Sequence, residues 1–264
     1  MRRHAGFTLA TVVLALMTLA ALAPGLLTGG DPGGADALKA LEGPSADHWF
    51  GTDANGRDVF TRIVYGAGPS LLAGLGATAL AVVAGTALGL LAALGGRVLD
   101  ELVMRLVEVV LALPTLLLAL LVITVTGPGT VNVILAIALY TAPGYARLVR
   151  AQTMVIKRAG FVEAAVSLGL SRGRIIWRHV LPNAFEPLLV LATIEVGTAL
   201  VAAASLSYLG LGPQPPAPEW GAMLSAGRDY FSVAWWIAVF PGVAITLTVL
   251  SITVAGRRLQ RRVA

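Results

Sequence analysis

The sequence predicts an all-helical, polytopic membrane protein with six transmembrane helices and a folded loop at one membrane face. Three observations lead there. The 264-residue chain is 57% hydrophobic and 12% charged, with a mean hydropathy of +0.82, far from the roughly 25% charged content of a soluble domain. Uncharged apolar runs of spanning length recur along it. The basic residues gather in the segments that a six-span path places on one side.

The first run, Phe7 to Leu27, follows Arg2, Arg3 and His4. It is about the 20 residues a spanning helix needs and too long for the apolar core of a signal peptide, although Ala21, Leu22 and Ala23 have the look of a cleavage site. An uncleaved first span over 7–27 is expected. Residues 28–69 are polar and rich in Gly, Pro and Asp; so short a segment cannot bury a core of its own and is expected to pack on the membrane domain from the extracytoplasmic side. Within it, Asp53, Asn55 and Asp58 invite a calcium loop. Such a loop needs Gly at its sixth position and an acid at its twelfth, where this chain has Asp58 and Val64. Asn55-Gly56 reads instead as a tight turn, with the acids capping or pairing with Arg57 and Arg62.

A second span is expected over 70–94, where Gly74, Gly76, Gly85 and Gly89 allow close helix approach. Glu101, Arg105 and Glu108 share one face of the helix that follows. From Val109 to Ala146 no residue is charged, which accommodates spans over 103–125 and 131–149 joined at Gly127-Pro128-Gly129. Pro114 should kink the third span, and Pro143-Gly144 should weaken the end of the fourth. The fifth span, 184–209, carries Glu186 and Glu195. A loop over 211–231 holds Pro213, Pro215, Pro216 and Pro218 ahead of Glu219-Trp220-Gly221. The sixth span, 233–255, is followed by Arg257, Arg258, Arg261 and Arg262.

Six spans put both termini on one side. If that side is the cytoplasm, it holds 15 of the 19 Lys and Arg residues, the exceptions being Lys39, Arg57, Arg62 and Arg228. Cytoplasmic loops of membrane proteins carry such an excess. The net charge of +5 therefore reflects topology and does not point to nucleic acid, and the loop over 150–182 falls in the cytoplasm.

Within that loop, Phe161 to Pro182 reads as helix, tight turn, helix. Phe161, Ala164, Ala165 and Leu168 share a helix face, with Glu163 off that stripe. Gly169 suits the left-handed position after a helix end. Ser171 can cap a second short helix carrying Arg172, Arg174 and Arg178 beside Ile175, Ile176 and Trp177, and Pro182 begins the next element.

The residues offer little chemistry. The two lysines, Lys39 and Lys157, do not follow Gly, so a phosphate-binding loop of the G-x-x-x-x-G-K-[ST] kind is missing. His4, His48 and His179 lack metal-ligand spacing, there are no cysteines, and no serine sits in G-x-S-x-G. An ion-coupled secondary transporter would place several ionisable groups inside its spans. Only Glu195 qualifies, since Glu186 lies near the membrane boundary and on the opposite face. Glu195 either lines a solute pathway or is a structural partner of a neighbouring helix. What remains is a membrane protein without a motor of its own and with a segment suited to docking on another protein.

At this point the sequence resembles a known family. Glu163-Ala164-Ala165, Gly169 and Leu181-Pro182 match the EAA-x3-G … LP pattern of permease subunits of ABC importers, with His179 where the general pattern has Ile. Phe50 to Asp58, Leu111 to Thr115, Tyr145 to Arg150, Leu206 to Gly212 and Pro218 to Gly221 resemble the second (C-type) permeases of dipeptide, oligopeptide and nickel importers. The resemblance implies a type I importer permease fold in the cell membrane and a heterodimer with a second permease subunit. It implies two ATP-binding subunits that hold ATP and Mg, and an extracytoplasmic solute-binding protein. It makes Glu163, Ala164, Ala165, Leu168, Gly169, Ser171 and Arg172 the coupling helix that docks on the ATPase. This chain would hold no cofactor, metal or catalytic residue of its own. Peptides are the first expected solutes, with nickel or a metal chelate as the alternative.

Overall fold

The computed structural model describes residues 2–263, with the side chains of 2–5, 166, 172, 184–187, 259 and 261–263 outside the description. Ten α-helices, α1 (Arg2–Leu22), α2 (Val59–Leu94), α3 (Arg97–Ala112), α4 (Thr115–Thr126), α5 (Thr130–Ile156), α6 (Gly160–Ser167), α7 (Arg172–Ile175), α8 (Leu181–Tyr208), α9 (Trp220–Arg228) and α10 (Trp236–Val263), form the described chain, and no strand is present in it. Helices α2, α5, α8 and α10 are long and apolar enough to span a bilayer; α3 and α4 together make a bent fifth span, and the apolar part of α1 is the shorter Gly6–Leu22.

The bundle has two distinct ends. Arg258 lies 3.9 Å from the ring of Phe7, so the start of α1 meets the end of α10. Gly256 approaches Thr193 while Gly197 approaches Val249, so α8 and α10 are antiparallel. The ends of α2 and α5 meet where Lys157 Nζ donates to Ala93 O at 3.0 Å. Both termini therefore share one end with residues 157–182. The other end holds residues 28–58, the start of α2, and α9.

Small residues set the closest packing. A Cβ on Gly85 would lie 2.6 Å from Ala142 O, and one on Gly89 2.6 Å from Ala146 O. Only glycine lets α2 and α5 approach this closely, which is how van der Waals contact replaces the missing hydrophobic drive inside lipid. Ala81, Ala138, Ala142, Tyr145, Val149 and Leu188 fill the seam of α2, α5 and α8.

The helices depart from the sequence reading at Pro69 and Pro143, and bend at Pro114, where a kink is expected. The helix bearing the span expected over 70–94 begins at Val59 and runs through Pro69. Asp58 caps it, its carboxylate accepting from Thr61 N at 2.7 Å, and this strong start outweighs the one hydrogen bond that Pro69 forgoes. The third span is broken, with α3 and α4 meeting at 97° across Leu113-Pro114. Val103 and Val107 of α3 pack on Ala92 and Ala146, whereas Ala119 and Ile123 of α4 pack with Val133 and Ile137 of α5. Pro114 ends one helix and caps the next because the two halves bury against different layers. Pro143, expected to weaken its helix, is buried inside α5, which continues to Ile156; packed membrane helices tolerate such a proline.

The far end is fastened by hydrogen bonds. Asp53 Oδ1 accepts from Asn55 N and Arg57 N, and its other oxygen pairs with Arg57 and Arg62 at 3.4 and 3.6 Å, so this acid closes the Asn55-Gly56 turn. Glu219 caps α9 by accepting from Gly221 N and Ala222 N, and also accepts from Ser70 Oγ of α2. Trp220, fully buried, donates its Nε1 to Ile63 O at 2.9 Å. Trp236 donates to Thr52 O. The Pro218 to Gly221 motif is thus a clasp between α9 and α2.

Candidate functional site

Two places hold the residues singled out by sequence: the segment 157–182 and the middle of α8. The first is a folded hook. Helix α5 ends in a tight turn in which Ala159 N donates to Ile156 O, and α6 starts at once. It ends as Leu168 N donates to Ala164 O and Leu170 N donates to Ala165 O at 3.1 Å, the six-to-one bond of a Schellman cap. Gly169, between them, has φ +75°, as that cap requires. Ser171 O then accepts from Ile175 N to open α7. A wide π turn over Ile176–Val180 leads into α8 without a break, Leu181 N donating to Ile176 O. The wider turn shifts the ladder one residue ahead of Pro182, whose ring would otherwise meet the carbonyl four residues back.

Five side chains hold the hook together: Ile156, Val162, Ala165, Ile175 and Val180. Of the stripe expected on α6, only Ala165 turns inward, joined by Val162. Ala164 is exposed, and Phe161 and Leu168 are 47% and 80% exposed. The stripe is real as a helix face, but the chain covers only its edge. Glu163 and Ser171 are also exposed. Phe161 is steadied by His179, ring centroids 6.1 Å apart, which gives that departure from the family pattern a local contact. The side chain of Arg172 lies outside the described residues, as does that of Glu186.

Around the hook, Asp100 of α3 receives a bidentate pair from Arg150 of α5, and Lys157 caps the end of α2. Sequence reading missed both. Asp100 and Arg150 are 50 residues apart, and nothing local marks them as partners.

Glu195 lies on α8 with neither a hydrogen bond nor an ion pair from its carboxylate among the described residues. It is half-buried, one turn beyond Ala192, which packs against the cluster of Tyr145, Val149 and Leu188. The structure does not bring it near the hook. The described residues contain no cluster of His, Cys, Asp or Glu suited to a metal ion.

The model of the family described as binding-protein-dependent transport system inner membrane component matches residues 85–264. The chain belongs to this family. A dipeptide transport system permease protein of Alkalihalophilus pseudofirmus is 43% identical over 249 residues, covering 94% of this chain and 82% of that protein. A glutathione transport system permease protein of Shigella flexneri is 44% identical over 259 residues, covering 98% and 86%. Among solved structures, the MetNI methionine ABC transporter in inward-facing conformations matches with a TM-score of 0.61 at 22% identity, over 77% of this chain and 96% of that one. An amino acid ABC transporter matches with a TM-score of 0.56 at 20% identity, over 77% and 94%. The type I importer permease fold expected from sequence is therefore the fold observed. The protein is a multi-pass inner membrane permease of an ABC importer of the peptide-transport family.

Proposed function

We propose that this chain forms half of the translocation pathway of an ATP-driven importer of di- or oligopeptides, paired with a second, non-identical permease subunit. In this reading a solute-binding protein delivers peptide at the end built from 28–58 and α9. Two ATPase subunits, holding ATP and Mg, bind at the end bearing the hook and both termini, which faces the cytoplasm. The observation that carries it is the hook itself: a self-capped helix whose apolar face, Phe161, Ala164 and Leu168, is left uncovered beside the free carboxylate of Glu163. An exposed apolar strip rimmed by charge fits a protein partner. The concentration of basic residues at that end supports a cytoplasmic orientation, and the two relatives' peptide-type solutes support the substrate class.

The same geometry supports a mechanism. Displacement of α6 by ATPase dimerisation passes through the small apolar core of the hook into α7, the π turn and α8, which run on without a loop. A continuous helix transmits the movement that a flexible linker would absorb. The permease pair then alternates between outward-facing and inward-facing states.

In the reconstituted importer, Glu163→Lys replaces attraction with repulsion at the partner contact. We expect it to lower peptide uptake, and the ATPase stimulation caused by loaded binding protein, at least tenfold, a change of about 1.4 kcal/mol, while membrane insertion persists. Orientation is checked in the same system, the chain having no native cysteine: an impermeant thiol reagent on intact cells should label Ala217→Cys and leave Ala159→Cys unlabelled. Wild-type uptake in the Glu163→Lys importer, or labelling at position 159, would overturn the reading.

A further inference from the structure

Glu195 is an acid inside a span for which this chain supplies no counter-charge among the described residues. It lies on α8 (Leu181–Tyr208), nine residues past Glu186, the preceding charged residue of the sequence, or about 13 Å along the helix at about 1.5 Å per residue. A carboxylate at that depth is costly unless a cation or water meets it, yet among the described residues no basic group pairs with it. One side of its helix face is closed, Leu188 and Ala199 being 1% and 2% exposed. The other side is open, with Thr198 exposed one turn along.

A second, independent observation lies across the seam. Tyr145 of α5 is 1% exposed, and its hydroxyl has no hydrogen-bond partner among the described residues; the same is true of Thr141 Oγ1 on that helix. Buried hydroxyls without partners are rare and costly. Tyr145 packs in one cluster with Leu188 of α8, with Ala192, one turn before Glu195, against it, so these groups belong to the same α5–α8 seam. A primary ammonium answers the carboxylate, since it brings one positive charge and three N–H donors. A divalent metal is less well served, because among the described residues no group of three or more His, Cys, Asp or Glu could hold one.

We propose that Glu195 receives the ammonium group of the passing solute, the amino terminus or a lysine side chain of a peptide. This deepens the peptide-import reading and rests on it for the identity of the solute. It places a cation-selective step on α8, the helix continuous with the hook.

The test uses the whole importer in proteoliposomes carrying Thr198→Cys as its single cysteine in this subunit. The introduced thiol is titrated with trimethylammonioethyl methanethiosulfonate and with its sulfonatoethyl counterpart. We expect the ratio of the cationic to the anionic rate to fall about tenfold when Glu195→Gln is added, since a cleft of one charge sign concentrates counter-ions by that order or more, and to be retained with Glu195→Asp. An unchanged ratio in Glu195→Gln, or no modification of the introduced thiol by either reagent in a complex that still co-purifies with its partner subunits, would overturn the proposal. Uptake of trialanine by the same vesicles separates the two readings. Uptake without the Glu195-dependent ratio sinks the ammonium site and leaves the peptide reading standing; the ratio without uptake keeps the cation site and sinks the peptide reading.

Discussion

The two ends of the bundle are built on opposite plans. At the far end, almost every polar group singled out by sequence is used within the chain: Asp53 holds a turn and two arginines, Asp58 and Glu219 cap helices, and Trp220 and Trp236 donate to backbone carbonyls. At the hook, five small-to-medium apolar side chains form the core, and Phe161, Leu168 and Trp177 are left in the open. One end spends its polar groups within the chain. In the proposed importer the other is completed by a partner, so the same kind of substitution should register as lost stability at the first and as lost assembly at the second.

The largest expected effect tests the end fastened by hydrogen bonds. Trp220→Ala removes a fully buried side chain and its hydrogen bond to Ile63 O, and a Trp→Ala change in a core costs about 3–5 kcal/mol. Thermal unfolding of the detergent-solubilised subunit should show this loss, with the isolated chain and the assembled importer affected alike. A stability change under about 1 kcal/mol, the size of an ordinary substitution, would mean that the α9–α2 clasp is incidental to the fold.

The next effect is smaller and of another kind. Leu168→Ser alters a side chain that is 80% exposed, so the isolated subunit should keep its stability to within about 0.5 kcal/mol. Its affinity for the ATPase should nonetheless fall by more than about 1 kcal/mol if Leu168 fills a pocket on that partner, measured as co-purification against ATPase concentration. Equal affinity in the two forms would remove the distinction between the ends.

How far the sequence reveals this contrast depends on the range of the interactions involved. The hook's turn was legible because Gly169 and the pattern around it are local: a left-handed residue, a six-to-one hydrogen bond and a short helix follow one another along the chain. The apolar runs likewise mark helices that must satisfy their own backbone in lipid. The facing of α6 was not legible. Phe161, Ala164 and Leu168 have the spacing of a buried stripe, and whether a stripe is covered by its own chain or by another depends on contacts with Ile156 and Ile175 that periodicity does not encode. The prolines differ in outcome for the same reason. Pro69, Pro114 and Pro143 each remove one donor, but tertiary packing decides whether the helix continues, as at Pro69 and Pro143, or turns through 97°, as at Pro114. The Asp100–Arg150 pair, made across 50 residues, leaves no local trace.

The smallest effect isolates the hook's geometry from its partner. Gly169 sits at φ +75°, and a Cβ added there would meet nothing within 4 Å in this chain. Gly169→Ala should therefore cost the isolated subunit only the backbone term, about 1 kcal/mol, and Gly169→Asn less, because asparagine tolerates the left-handed region better than alanine. The order Gly, Asn, Ala in thermal stability is what a turn governed by backbone conformation produces. Transport should follow the same order if conformation alone matters. If instead asparagine, the larger side chain, impairs uptake more than alanine while destabilising less, the open space beside Gly169 is occupied in the working importer, and the partner's surface reaches over the turn between α6 and α7.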